Sequence, residues 1–292
     1  MSKGLLDPKV DFVFKNIFGS PNHPEILISF LNATLKAKKK IVNVDIKKTD
    51  IEKQYIEDKY SRLDVKATTS NDEIINIEIQ LKNENNMVKR SLYYLSKMYE
   101  EQLNEKEDYS KLVRTVCINI LNFKYLKTDN FHTGYRFKEI ESNEELTDIM
   151  EVHFIEIPKL QDSSDEKDML VAWTEFLKDP ESEKVRGLEL SIEEIRQAKD
   201  ELIRMSNDST QRELYDMRAN SLRDKMSELN AAERKGIEKG REEGREEGRK
   251  EGIEEGRKEE KIKIARNMKL SGLDINTIAK ITNLSEDEID KL

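Results

Sequence analysis

Three side chains at period-two spacing have the types needed for metal-assisted chemistry: Asp64, Glu78 and Gln80. They fall in two alternating stretches, Arg62-Leu63-Asp64-Val65-Lys66-Ala67 and Ile74-Ile75-Asn76-Ile77-Glu78-Ile79-Gln80-Leu81. Alternation predicts strands, and the Thr68-Thr69-Ser70-Asn71-Asp72 segment between them is turn chemistry, so the whole reads as a β-hairpin. A turn centred on Asn71 makes Asp64 face Glu78, Arg62 face Gln80 and Lys66 face Asn76, all on one side of the ribbon. Leu63, Val65, Ala67, Ile75, Ile77, Ile79 and Leu81 form the opposite, apolar side.

Two carboxylates opposed across a strand pair repel, and a bound divalent cation reverses the sign of that interaction. Oxygen ligands from carboxylates suit Mg²⁺ or Mn²⁺, which keep several waters and bind substrate phosphate. A solvent-facing polar side, balanced by Arg62 and Lys66, explains the same alternation. A register shift of one residue breaks the Asp64–Glu78 pairing.

The neighbouring elements must hold this hairpin. Asp7-Pro8 reads as a helix start, with Phe12, Phe14, Ile17 and Phe18 inward and an end near Gly19-Ser20-Pro21. A second helix is expected from Pro24 to Leu35, and a strand over Ile41–Ile46. After the hairpin, a helix from about Asn86 to Leu103 places Val88, Leu92, Leu95, Tyr99 and Leu103 at helical spacing. Leu112–Leu121 and Val152–Ile157 read as buried strands. Interleaved strands and helices predict an α/β domain over 1–160. A polar helical extension over 161–230 follows, with an apolar patch at Trp173, Phe176 and Leu177.

Beyond it, glycine recurs at positions 236, 240, 244, 248, 252 and 256 among Arg, Lys and Glu. Six helical glycines cost on the order of 6 kcal/mol relative to alanine, and i,i+4 pairs such as Glu246–Lys250 and Glu254–Lys258 return only ~0.2–0.5 kcal/mol each. Residues 231–260 are therefore either a helix packed closely against a second chain along its glycine ridge or a flexible charged tether. In 261–292, Ile264, Met268, Leu270, Ile275, Ile278, Ala279, Ile281, Leu284 and Ile289 recur at helical spacing as a small core. With Ser285 as an N-cap, three short helices of a helix-turn-helix type are expected. The acidic Glu286, Asp287, Glu288 and Asp290 favour packing or partner binding by the last helix over tight DNA binding.

Of 292 residues, 38% are charged and 36% hydrophobic, too polar for one uniformly packed globule. The net charge of −9 lies almost entirely beyond residue 160. Within the nearly neutral first part, Lys36, Lys38, Lys39, Lys40, Lys47 and Lys48 cluster, and Lys82, Lys89, Arg90 and Lys97 follow the hairpin; both groups could meet phosphates or be ordinary solvated surface. No apolar run is long enough to span a bilayer, the N-terminus lacks a signal-peptide core, and the one cysteine, Cys117, excludes an intrachain disulfide. The expected location is the cytoplasm. His23, His132 and His153 have no ligand spacing, and His153 and Cys117 read as buried strand residues. No phosphate-binding or dinucleotide loop is present, which leaves an NTPase unsupported.

The stretch SRLDVKATTSNDEIINIEIQ, followed by Arg90 and Tyr94 in KRSLYYLSKMYEEQL, resembles the Rpn family: recombination-promoting nucleases, also described as transposases, of the PD-(D/E)XK nuclease superfamily. The resemblance extends to DPKVDFVFKNIFG, ILISFLNATL, YSKLVRTVCINILNF, HFIEIPKL and the C-terminal end. It implies a restriction-endonuclease-like fold, with a central mixed sheet flanked by helices, and Mg²⁺- or Mn²⁺-dependent cleavage of DNA. The motif acids fall on Asp64 and Glu78, as metal ligands. The motif lysine falls on Gln80, which carries no charge and can only orient a water or a phosphate oxygen. A further acid from the first helices is common in the superfamily, here Asp11 or Glu25, and Arg62, Lys66 and Arg90 are candidate phosphate contacts. The expected function is a DNA endonuclease acting in recombination, a mobile element or defence, oligomeric through its C-terminal helices. The alternatives are a non-catalytic DNA-binding or interaction protein that keeps the nuclease fold, and a structural adaptor acting through those helices.

Overall fold

The computed structural model describes residues 4–36, 39–47, 64–165 and 167–292. The described part of the chain divides into two compact units, Met1–Leu222 and Arg223–Leu292.

The first unit is a mixed sheet between helices. In chain order the strands are β1 (Val44–Lys47), β2 (Val65–Thr69), β3 (Ile74–Gln80), β4 (Thr115–Leu121), β5 (His132–Lys138) and β6 (Glu145–Glu156). They lie in the order β1-β2-β3-β4-β6-β5. The β3–β4 and β4–β6 pairs are parallel and the other three antiparallel. Helix α3 (Met87–Glu100) makes the crossover that a parallel β3–β4 pair requires. The hairpin register is the expected one, with Val65 opposite Ile77 and Lys66 opposite Asn76.

One face of the sheet carries the main core. Val65, Ala67, Ile75, Ile77 and Ile79 pack there against α1 (Asp11–Phe18) and α2 (Pro24–Leu35). The same core takes in Trp173 and Phe176 of α4 (Met169–Lys178), Val185 of α5 (Glu183–Glu189) and Leu202 of α6 (Glu193–Asn207). Trp173 meets Phe18 edge to face at 5.3 Å. The polar extension thus buries its apolar patch in the core of the sheet, because α1 and α2 alone leave Phe18 and Phe30 uncovered.

The other face lies beneath α3. Asn76 and Glu78 are buried there, which removes the solvent-facing alternative for the hairpin. Of the apolar residues expected to turn inward on α3, Leu95 does so, but the rest of the buried face is shifted. Val88 and Leu92 are exposed, and the buried positions are Met87, Ser91, Tyr94, Leu95 and Met98. The physical reason is the surface being covered: a partly polar sheet face draws in Ser91, whose Oγ donates to Asn119 Oδ1 at 2.8 Å.

Two boundaries also move. The first helix begins at Asp11, because Asp7-Pro8 forms a separate turn closed by Lys9 N–H donating to Asp7 Oδ1 at 2.9 Å. Phe12 is only partly buried and Val13 takes its inward place. The first strand starts at Val44, three residues after Ile41.

At the end of the sheet away from Gln80, buried charges are joined across four strands. Arg114 pairs with Glu73 and Glu151, and Arg136 donates to Glu151 at 3.0 Å. His153 Nε2 lies 2.7 Å from Glu151 Oε1, and His153 Nδ1 lies 2.9 Å from His132 Nε2. Glu151 is ionised: against the effect of burial, hydrogen bonds from His153 and Arg114 hold it down to about 2. Burial and the neighbouring His153 push His132 down to about 4, so it is neutral. Gly134 leaves room beside these charges: a Cβ there would stand 3.1 Å from the His153 ring and press it aside by a few tenths of an ångström.

Helix α7 runs from Ser209 to Leu270, and the division between the units falls within it. In the second unit, α7 is followed by α8 (Ile275–Thr282) and α9 (Glu286–Asp290). Ala265, Ile278, Leu284 and Ile289 form a small core there, with Ile262, Met268, Ile275, Ala279 and Leu292 against it. Ile264, Leu270 and Ile281, expected inside, are exposed. Ser285 caps α9 in a reciprocal box with Glu288. Among the described residues no helix is long and apolar enough to cross a membrane.

Candidate functional site

The hairpin delivers Asp64 and Glu78 to the edge of the α3-covered face. Asp64 stands immediately before β2, and its Oδ2 accepts the backbone N–H of Ile79 at 2.8 Å. Glu78 lies on β3 two residues before Gln80, whose side chain is half-buried at the end of the strand. Asp64 is 8% exposed and Glu78 2%. Burial pushes both carboxyls up, Asp64 to about 6; the Ile79 N–H and the Lys15 charge oppose this at Asp64, while the Glu78 and Asp11 charges add to it.

Two cations answer the pair. Arg90 of α3 places Nε 3.2 Å from Glu78 Oε2, with its guanidinium 5.4 Å from the Tyr94 ring. Lys15 of α1 places Nζ 3.6 Å from Asp64 Oδ1, and its charge also reaches Glu78. Asn76 Nδ2 donates to Glu78 Oε1 at 3.4 Å, and Asn76 Oδ1 is buried with no hydrogen-bond partner among the described residues. Ordered water or an ion are the usual answers to such an atom.

The two candidate acids of the first helices separate in space. Asp11 lies one turn before Lys15 on α1, acts on Asp64, and accepts from Arg218 Nη1 of α7 at 2.7 Å. Glu25 pairs with His23 at 3.2 Å and lines a cavity of about 790 Å³ with Lys36, Lys40, Asp165 and Asp168. Lys66 pairs with Glu101 at 3.6 Å, just past the end of α3. Arg62, Lys38 and Lys48 lie outside the described residues. Cys117 is fully buried, its thiol pushed up to about 12 chiefly by burial, so it is no nucleophile.

Sequence reasoning missed Lys15, because a lone lysine in an amphipathic helix carries no motif of its own; its place four residues after Asp11 was the available signal. It also missed the contact of His132 with His153, which arises only from the pairing of β5 with β6.

The donor set near the hairpin is two carboxylates and an unclaimed amide oxygen. Among the described residues no group of three or more His, Cys, Asp or Glu side chains is gathered to hold a metal. An all-oxygen set of few protein ligands fits Mg²⁺ or Mn²⁺, which take remaining positions from water and phosphate, and does not fit a structural zinc site.

Comparison with known protein families gives two matches. Residues 8–232 match the PD-(D/E)XK nuclease family transposase model, and residues 258–292 match the C-terminal helix-turn-helix domain of the Rpn/YhgA-like nuclease family. No curated relative and no solved structure matches the chain. The chain belongs to the PD-(D/E)XK nuclease family of transposases and carries the C-terminal domain of its Rpn branch.

Proposed function

We propose that the protein is a Mg²⁺- or Mn²⁺-dependent DNA endonuclease. The observation that carries this reading is the buried Asp64–Glu78 pair, joined through the Ile79 N–H and flanked by an unclaimed Asn76 oxygen. Asp64 and Glu78 would hold the cation, with Asp11 the nearer of the two candidate additional acids to their charges and Glu25 facing a different cavity. When bound, the metal supplies a Lewis acid for the scissile phosphate and a water of lowered pKa. Gln80, at the mouth of the strand, orients that water through its amide. Lys66, Arg90 and Arg62 are the candidate phosphate contacts, and Arg90 additionally opposes the upward push that burial gives the Glu78 carboxyl.

The division of labour follows the chain: nuclease chemistry within 1–160, a helical extension over 161–230, a spacer helix over 231–260 and a helix-turn-helix segment over 261–292. Residues 232–260 are exposed and the six glycines of the repeat have open space beside them. At 100° per residue, Arg241, Arg245 and Arg249 form a row on one side of the glycine ridge, and Glu243, Glu247 and Glu251 a row on the other. A parallel twofold pair sets the arginine row of one chain against the glutamate row of its partner, whereas an antiparallel pair sets like against like. We therefore assign homo-oligomerisation to this helix, in parallel. A cytoplasmic role in recombination, a mobile element or defence fits a DNA endonuclease of this family.

The test is Mg²⁺-dependent nicking of a supercoiled plasmid by the wild type, Asp64→Ala and Glu78→Ala. The wild type should cut and both variants should not; equal rates in all three remove these acids from the mechanism. A second reading, a DNA-binding protein without catalysis, draws support from the uncharged Gln80. Titration with Mn²⁺ separates the two, since only the nuclease reading requires Asp64-dependent binding of the ion.

A further inference from the structure

The motif position that carries lysine elsewhere in the superfamily is Gln80 here, so the hairpin itself brings no positive charge to the scissile phosphate. A cation nevertheless stands at the site, delivered from another element. Lys15 Nζ is 3.6 Å from Asp64 Oδ1, its side chain is three-quarters buried, and its charge is felt at both Asp64 and Glu78.

The placement is built into α1. Lys15 O accepts the N–H of Gly19, which ends the helix, at 2.9 Å. A Cβ on Gly19 would lie 2.7 Å from Lys15 O and 3.3 Å from Val65 Cγ2. Gly19 thus lets the last turn of α1 close onto the first residue of β2, which follows Asp64 directly. The apolar face of the same helix, Val13, Phe14, Ile17 and Phe18, is fully buried and fixes its rotation. Lys15 is held on the side that meets Asp64.

We propose that Lys15 supplies to the scissile phosphate the positive charge that Gln80 lacks, standing on α1 in place of the motif position on β3. This rests on the nuclease reading above. In hydrolysis the water oxygen bonds to phosphorus as one P–O ester bond breaks; the water gives up a proton to solvent and the leaving oxygen takes one up. The products are a phosphate monoester and a hydroxyl. Negative charge gathers on the non-bridging oxygens during this exchange, and the Lys15 ammonium stabilises it without being consumed. Arg90 serves this less well, because it is committed to Glu78 and packed on Tyr94.

The test compares full-length wild type, Lys15→Met, Lys15→Arg, Gln80→Lys, the Lys15→Met/Gln80→Lys double variant and Asp64→Asn. Single-turnover nicking of supercoiled plasmid in Mg²⁺ should fall roughly a hundredfold to a thousandfold in Lys15→Met, fall less in Lys15→Arg, and recover at least about tenfold when Gln80→Lys is added. Two readouts do not depend on turnover. Binding of a duplex oligonucleotide in Ca²⁺, followed by anisotropy, should change by less than about threefold in Lys15→Met. Mn²⁺ should bind Lys15→Met severalfold more tightly, because a competing cation has left Asp64. A Lys15→Met rate equal to wild type, a rate loss matched by an equal loss of DNA binding, or unchanged Mn²⁺ affinity each overturns the proposal. A wild type no faster than Asp64→Asn overturns the nuclease reading itself, and the proposal with it.

Discussion

The Asp64 carboxylate accepts the backbone N–H of Ile79, one residue past Glu78, so the two acids of the hairpin are tied through a single strand register. That bond favours the ionised form of Asp64, yet burial outweighs it and the group reaches about 6. A carboxyl whose folded value lies above its unfolded one stabilises the fold while protonated, fully below about pH 4, and this contribution is lost as the pH rises through about 6. Asp64→Asn should therefore melt higher than wild type at pH 7.5 without metal, by at most about 3 kcal/mol, with the difference gone at pH 4. Mg²⁺ should raise the melting temperature of the wild type and leave Asp64→Asn unmoved. Thermal melts across pH decide it; a lower melting temperature for the variant at pH 7.5 would contradict the account.

Glu78 depends on Arg90. Removing the guanidinium leaves a carboxylate that is 2% exposed without its cation. Arg90→Met should lose about 3–5 kcal/mol of stability, and Arg90→Met/Glu78→Gln should recover most of it. Urea denaturation of the four proteins forms a double-mutant cycle, and additive losses would show that the pair is not coupled.

At the far end of the sheet, Arg114→Met strands two buried carboxylates, Glu73 and Glu151. A loss of about 3–5 kcal/mol is expected. Glu73 stands immediately ahead of β3, five residues before Glu78, roughly 17 Å at strand rise. The surviving folded protein should accordingly cut DNA at the wild-type rate, measured at a temperature well below its melting point. A rate loss in fully folded Arg114→Met would extend the functional site to this end of the sheet.

How much of this was legible beforehand follows from the range of the forces. The hairpin register was readable, because alternation and turn chemistry are local, and Val65, Ile77 and Ile79 turned to the core as expected. The rotation of α3 was not, since which face it buries depends on the polar groups of a sheet assembled from distant segments. Ser91 won over Leu92 through Asn119, 28 residues away. Likewise His132 and His153 show no ligand spacing in sequence but meet across the β5–β6 pair. The strand β5 itself went unread: Tyr135 and Phe137 alternate along it, but they lie exposed at the sheet edge, so no buried stripe marks it. Trp173 looked like a satellite patch and is central to the core, because burial is decided by what needs covering on α1 and α2.

The glycine repeat separates helix formation from pairing. Replacing Gly240, Gly244 and Gly248 with alanine should raise the helicity of the isolated segment, by about 1 kcal/mol per position, since each has open space around it. If two chains meet along this ridge, the same change should weaken their association in the full-length protein. Sedimentation of wild type and variant, with circular dichroism of the matching peptides, reads both. Fluorophores placed at position 236 should transfer energy strongly between partners in a parallel pair; the absence of transfer in an associated sample would exclude that orientation.

The chain of charges from Glu73 through Arg114, Glu151 and His153 to His132 has a consequence for descent. No single member can be lost without leaving a polar group inside the sheet short of a partner, so neutral drift at one position is blocked unless its neighbours change with it. These five positions, in or beside four strands and spread over about 80 residues of sequence, should be inherited as one character, present together or replaced together by apolar side chains, while the surface of the same strands varies freely.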